Sequence, residues 1–298
     1  MTRAGKHLAI PFAHRSVQRY DQVGLKTKLP NQSRRQTGAA AAFVESQLAV
    51  GRVGFSLEGL VAETGLSRIA ARFQLLRLGP KVVRVSPRQS FFLIVGPEHR
   101  SLGAPPVMGW LHDYFEWLGR PYYLALQSAA SLYGSNPQAV QVTQVMTDRP
   151  MRPIQAGRMQ LRFFVKRNIQ RAPTLQPEGS VAPIWVSTPE ATAYDLVRHA
   201  GGIGGMDRTA ETLRPFASRL RRRELRRVLD AEAEVPVAQR LGFVLEAIGE
   251  LDLAMVVHAW LPPRLLPVKL LPSGGNDAKD LPLASRWQVL NNSAELKV

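Results

Sequence analysis

The chain has 298 residues, 45% hydrophobic and 21% charged, which supplies a packed core, suggests two domains and excludes global disorder. Thirty-nine Lys and Arg against 23 Asp and Glu leave a formal net charge of +16 and a pI near 10.9. Such an excess asks for a polyanionic partner, nucleic acid before an anionic membrane. Cysteine is absent, which excludes disulfides, thiolate nucleophiles and cysteine metal sites and makes the cytoplasm the expected compartment.

Residues 1–36 carry Arg3, Lys6, Arg15, Arg19, Lys26, Lys28, Arg34 and Arg35 against Asp21 alone. Their periodicity is poor, and they read as a mobile basic extension that follows a DNA backbone, or as a solvated tail with no specific role. They lack the continuous apolar core of a secretory signal; the arginine-rich, acid-poor composition of a transit peptide is explained equally by a basic arm.

Thr37 is placed to cap a helix running through Val50, with Ala40, Val44 and Leu48 facing inward. Two short helical patterns then meet at Thr64-Gly65-Leu66. Ser56 caps the first, with Glu58 at the positive end of the dipole and Leu57, Leu60 and Val61 inward. Gly65 can take the left-handed conformation that stops a helix. Ser67 caps the second, which carries two apolar stripes: Ala71, Leu75 and Leu78, and Ile69, Phe73 and Leu76. The sequence leaves open which of them is buried. Gly79-Pro80 stops this helix, and Lys81–Ser86 and Ser90–Val95 read as strands around the turn Pro87-Arg88-Gln89.

That order of parts, over residues 37–98, predicts a winged helix-turn-helix, which lays one helix in the major groove. The candidate DNA-binding residues are Ser67, Arg68, Arg72, Gln74, Arg77, Lys81, Arg84 and Arg88. No carboxylate lies between Glu63 and Glu98 to oppose them. Modules of this kind also serve as protein–protein interaction units, which is the plainer alternative.

Residues 99–106, within the Pro- and Gly-bearing stretch Gly96–Pro106, read as a linker to a larger mixed helix/strand domain over 107–298, so the fold class is α+β. Val107–Leu118 is a strongly apolar helix whose aromatics suit a core better than a base-stacking platform. Tyr122–Tyr133 continues as a helix with small residues, Ser128, Ala129 and Ala130. Strand patterns follow at Ala139–Met146, Met159–Val165 and Ile184–Val186. Thr188-Pro189-Glu190 opens a further helix. Gly201–Gly205 ends it and lacks the strand before it and the Lys-Ser/Thr pair of a phosphate loop. Met206–Phe216 begins another helix.

Arg214–Arg227 holds seven arginines with Glu224 the only acid. Arg219, Arg222, Arg223, Arg226 and Arg227 fall near one side and form a candidate second phosphate contact, against the usual reading of a solvated face. Pro236–Ile248 and Leu251–Leu261 form a helical hairpin through Gly249, and Val268–Leu271 and Trp287–Leu290 close the domain as strands. No apolar run reaches the roughly 18 residues that cross a bilayer.

At these residues the chain resembles the AbiEi family of antitoxins, the transcription-factor halves of AbiE type IV toxin–antitoxin systems. The likeness rests on Gly65-Leu66-Ser67; on Tyr122-Tyr123, Ser128-Ala129-Ala130 and Tyr133-Gly134; and on Ser187-Thr188-Pro189-Glu190-Ala191-Thr192-Ala193 with Asp195 and Leu196. It rests also on Gln239-Arg240-Leu241-Gly242, and on Arg286-Trp287 with Val289 and Asn291. It covers roughly Phe43 to Asn292.

The resemblance implies a winged-helix domain joined to a C-terminal antitoxin domain, repression of its own operon through inverted repeats in its promoter, and a nucleotidyltransferase-like toxin antagonised without a stable complex. Two features depart from the family: the turn Pro87-Arg88-Gln89 stands where an Arg-Gly-Tyr type is expected, and residues 1–36 are longer and more basic.

Catalysis should leave convergent acids, bases or metal ligands. His7, His14, His99, His112, His199 and His258 are scattered, so no metal, cofactor or enzyme activity is expected. The enzyme alternative is a nuclease-like domain, for which Asp148 and Lys166 are the candidates; no acid precedes Lys166 at the needed spacing.

Overall fold

The computed structural model describes residues 38–135, 142–180, 182–273 and 277–298. The expected basic extension, the Thr37 cap and the start of the strand expected from Ala139 lie outside the described residues. The chain then runs α1 (Ala39–Ala49), β1 (Gly54–Ser56), α2 (Leu57–Thr64), α3 (Arg68–Arg77), β2 (Val82–Arg84) and β3 (Phe91–Ile94). The Ser56 hydroxyl accepts from the Gly59 N–H and the Ser67 hydroxyl from the Ala70 N–H, so both helices start where a hydroxyl can satisfy an orphan donor. Gly65, at φ +69°, turns the chain between them.

Strands β1, β3 and β2 form an antiparallel sheet with β3 central, Phe55 opposite Phe92 and Val83 opposite Leu93. Phe43 and Val44 of α1, Leu57 and Leu60 of α2, and Ala71 and Leu75 of α3 close over Phe55, Phe92 and Ile94. Leu48, expected inward, is partly exposed; Phe43 takes the inner position and meets Phe55 edge-on at 5.2 Å.

Because side chains alternate along a strand, β3 serves two cores. Phe92 and Ile94 face the three helices, while Phe91 and Leu93 join the larger core. Phe91 lies 5.4 Å from the Tyr114 ring and 5.5 Å from that of Trp117, both on α4 (Leu111–Leu118). The Gly96–Pro106 stretch is packed rather than loose: Ala104 is fully buried, the Trp110 indole N–H donates to the Pro105 carbonyl, and the Arg158 N–H donates to the Leu102 carbonyl.

The larger unit continues with β4 (Tyr122–Leu124), α5 (Leu126–Leu132), β5 (Val142–Thr147), β6 (Ile154–Ala156), β7 (Met159–Val165), β8 (Thr174–Leu175), β9 (Val186–Ser187) and α6 (Pro189–Arg198). The single helix expected over Tyr122–Tyr133 is therefore a strand and a short helix. Tyr122 and Tyr123 are β-favouring, all three residues Tyr122–Leu124 are buried, and they pair with Val145–Thr147 on one side while Leu124 pairs with Val186 on the other. The sheet is mixed, in the order β6-β7-β5-β4-β9-β8, with β5 and β7 parallel.

Helices α7 (Gly205–Leu213), α8 (Arg222–Glu232), α9 (Val235–Ala247) and α10 (Leu251–Trp260) follow, then β10 (Val268–Lys269), β11 (Leu283–Ala284) and β12 (Val289–Leu290). Helix α6, capped by Thr188 with Pro189 in its first turn, is buried along its length and packs on α5, α8 and α9. The last strands are tied to α9: the Gln239 amide donates to the Trp287 and Leu266 carbonyls at 2.8 and 3.0 Å, and Arg240 donates to the Lys269 carbonyl at 2.8 Å. Among the described residues no helix is long and apolar enough to cross a membrane.

Candidate nucleic-acid interface

Helix α3 has two faces of opposite character. Ala71 and Leu75 are buried against α1 and α2. On the opposite side Ile69, Phe73 and Leu76 are 70%, 61% and 76% exposed. Arg68 and Arg72 border this outer stripe on one flank, Arg77 borders it on the other, and all three are exposed. Lys81, Arg84 and Arg88 continue the cationic surface onto β2 and the hairpin turn.

Few of these charges are neutralised. Arg68 pairs with Glu58 at 3.0 Å, but both side chains are about half exposed, so the pair is worth little and can yield to another anion. Arg84 donates to the Pro87 carbonyl at 3.0 Å and lies over the Phe92 ring, which holds it along the hairpin. Arg72, Arg77, Lys81 and Arg88 form no ion pair among the described residues. A groove of about 400 Å³ runs between α3 and β2, lined by Arg72, Leu76, Gly79, Val82 and Arg84.

Two expected contacts have other work. Gln74 is half-buried, and its side-chain oxygen accepts from the Ala40 N–H at 2.9 Å, so it caps α1 instead of facing outward. The Ser67 hydroxyl is engaged as the α3 cap. The turn residue Gln89 accepts from the Tyr114 hydroxyl at 2.8 Å, which fixes the hairpin to α4 and leaves Arg88 at the exposed tip.

The arginine run of the larger unit is not a bare cationic face. Arg222 pairs with Asp252, Arg226 with Asp230 at 3.2 Å, and Arg227 with Glu224 at 2.8 Å. Arg219 and Arg223 are exposed and form no ion pair among the described residues. Asp252 and Asp230 were invisible as partners because they lie beyond the run, on α10 and on the last turns of α8. A nearby cavity of about 900 Å³ is likewise of mixed sign, lined by Arg219, Arg221 and Arg227 together with Glu190 and Glu224. Glu190 is buried there, its carboxylate accepting from the Arg221 N–H at 2.9 Å.

The two residues considered for metal-dependent cleavage are separately occupied. Asp148 accepts from Arg120 and from the Thr147 hydroxyl; burial alone would raise its pKa, but the Arg120 guanidinium holds it below the usual carboxylate range. Lys166 does meet acids, though distant ones in sequence: Asp195 at 2.9 Å and Glu232 at 2.5 Å, with Tyr123 also donating to Asp195 at 2.7 Å. Lys166 and Asp195 are sealed from solvent. Burial works against the Lys166 charge, and the two carboxylates outweigh it and raise its pKa. The cluster reads as a buried ion network tying β7, α6 and α8 together.

The profile of the AbiEi antitoxin C-terminal domain matches residues 123–247. This segment is an AbiEi antitoxin C-terminal domain. The AbiEi match runs from β4 to α9 and takes in the buried network of Lys166, Asp195 and Glu232. The match supports an antitoxin role for this domain in a toxin–antitoxin setting. Residues 38–122 and the closing strands lie outside it. The chain is also similar to the crystal structure of the RV2827C protein from Mycobacterium tuberculosis, with a TM-score of 0.61 and 16% identity over 85% of this chain and 91% of that one. At that identity the likeness is one of fold. No curated protein matches the chain.

Proposed function

We propose that residues 38–98 form a winged helix-turn-helix that binds duplex DNA, and that the chain is an antitoxin that represses its own operon. The observation that carries this is the solvent-facing cationic surface of α3 and the hairpin: Arg68, Arg72, Arg77, Lys81, Arg84 and Arg88, with Glu58 the one acid paired among them. A polyanion laid on this surface meets cations on both flanks of one helix and at the tip of a hairpin, the arrangement that positions a helix in a groove. The partner on this reading is double-stranded DNA bearing inverted repeats in the promoter. On the same reading the antagonised partner is a nucleotidyltransferase-like toxin, with no stable complex between them.

On this reading the protein acts by binding. Asp148 is held by Arg120, and Lys166 is enclosed by its two carboxylates, so neither is free to orient a metal-bound water. Among the described residues no group of three His, Asp or Glu side chains is placed to hold a metal.

A reporter driven by the DNA upstream of the chain's own gene tests the reading. Co-expression of the chain should repress it, and Arg72→Ala with Arg88→Ala should relieve repression at equal protein level. Repression that survives both substitutions would move the DNA contact elsewhere.

A further inference from the structure

We propose that Ile69, Phe73 and Leu76 are the sequence-reading contacts of α3 and that they meet the 5-methyl groups of thymine in the major groove. This rests on the DNA-binding reading above. Single exposed apolar residues are ordinary, but three large ones at spacings of four and three residues, on the side of the helix opposite Ala71 and Leu75, form a continuous stripe. Helix α3 already has its core stripe, so this one is not needed for folding.

Charge identifies the occupant. The stripe is flanked by Arg68, Arg72 and Arg77 and extended by Lys81, Arg84 and Arg88. A second copy docked by the same face would set one cationic rim against another. A duplex instead brings phosphates to the flanks and base edges to the centre. On those edges the thymine methyl is the apolar group that the major groove displays. The amide that could read adenine, Gln74, faces α1, and no other Asn or Gln lies on α3. The outward face therefore offers guanidinium groups at its borders and hydrocarbon at its middle.

The geometry sets the size of the site. Seven residues separate Ile69 from Leu76, about 10 Å at 1.5 Å per residue, or about three base-pair steps at 3.4 Å each. The three side chains thus read thymines clustered within about four consecutive base pairs.

The test uses the full chain and a random-sequence duplex library. Duplexes retained by the chain are sequenced, and the best is resynthesised with deoxyuridine in place of thymidine, one position at a time. Deoxyuridine pairs like thymidine but lacks the methyl. Affinity is then measured for the wild type and for Ile69→Ala, Phe73→Ala and Leu76→Ala, substitutions at exposed positions that leave both cores intact.

Thymines should be enriched within one short window, and each contacted methyl should contribute about fourfold in affinity, the equivalent of about 0.8 kcal/mol per buried carbon group. Each variant should lose the effect at one position and keep the wild-type affinity for random duplex. An enriched sequence indifferent to deoxyuridine would overturn the thymine contact while leaving the DNA-binding reading standing. So would equal losses on selected and random duplex, or a dimer of the free chain that Phe73→Ala dissolves. Failure to retain any duplex would remove both.

Discussion

His199 ends α6 with its ring edge-on to Phe164 at 5.4 Å and its Nε2 buried without a hydrogen-bond partner. Burial pulls its pKa from 6.5 to about 4, against the partial opposition of Asp195. The folded state therefore resists a proton that the unfolded chain accepts below pH 6.5. Stability is complete above that pH and is lost as pH falls toward 4, by up to about 3 kcal/mol from this group. Denaturant midpoints measured across that range should show the loss in the wild type and a flatter profile in His199→Phe; identical profiles would mean that His199 titrates freely in the fold. A second residue-scale constraint is Gly242 on α9, where a Cβ would stand 2.0 Å from the Trp287 indole. Gly242→Ala would ordinarily favour a helix, but here it drives a methyl into a rigid buried ring, and it should destabilise by about 2 kcal/mol. A raised denaturation midpoint for this variant would mean that Trp287 can move aside.

At the scale of the element, what was legible in the sequence were the features encoded locally. Ser56, Ser67 and Thr188 cap the helices they were expected to cap, because a hydroxyl before a helical pattern needs only its own next few residues. The turn at Gly65 followed from the same short range. Burial of one α3 stripe over the other was not legible, since both have helical spacing and only the arrival of α1, α2 and β3 decides between them. Tyr122–Leu124 reads as helix in the sequence and forms a strand for a related reason: its partners, Val145–Thr147 and Val186, lie about twenty and sixty residues away. The acids beside Lys166 are not legible in the sequence, because Asp195 and Glu232 come from two later helices, about 30 and 65 residues on. By contrast, the motifs Gln239–Gly242 and Arg286-Trp287, separate in the sequence, meet in the fold: the Gln239 amide holds the Trp287 carbonyl, and Arg286 pairs with Glu246.

At the scale of the whole molecule, a formal charge of +16 is too diffuse to define a site, and the fold separates the arginines that are free from those that are answered. On α8 three of its four candidate arginines face carboxylates; around α3 and the hairpin one of six cations does. The most direct measurement is the salt dependence of binding to a random-sequence duplex between about 50 and 200 mM salt, since each phosphate contact contributes about −0.9 to the slope of log affinity on log salt. It compares the wild type, the triple variant Arg72→Ala, Arg77→Ala, Arg88→Ala, and the triple variant Arg222→Ala, Arg226→Ala, Arg227→Ala. The α3 and hairpin variant should lose roughly 2 to 3 units of slope, and the α8 variant should stay near the wild type. A wild-type slope in the first variant, or the larger loss in the second, would contradict the placement of DNA on α3.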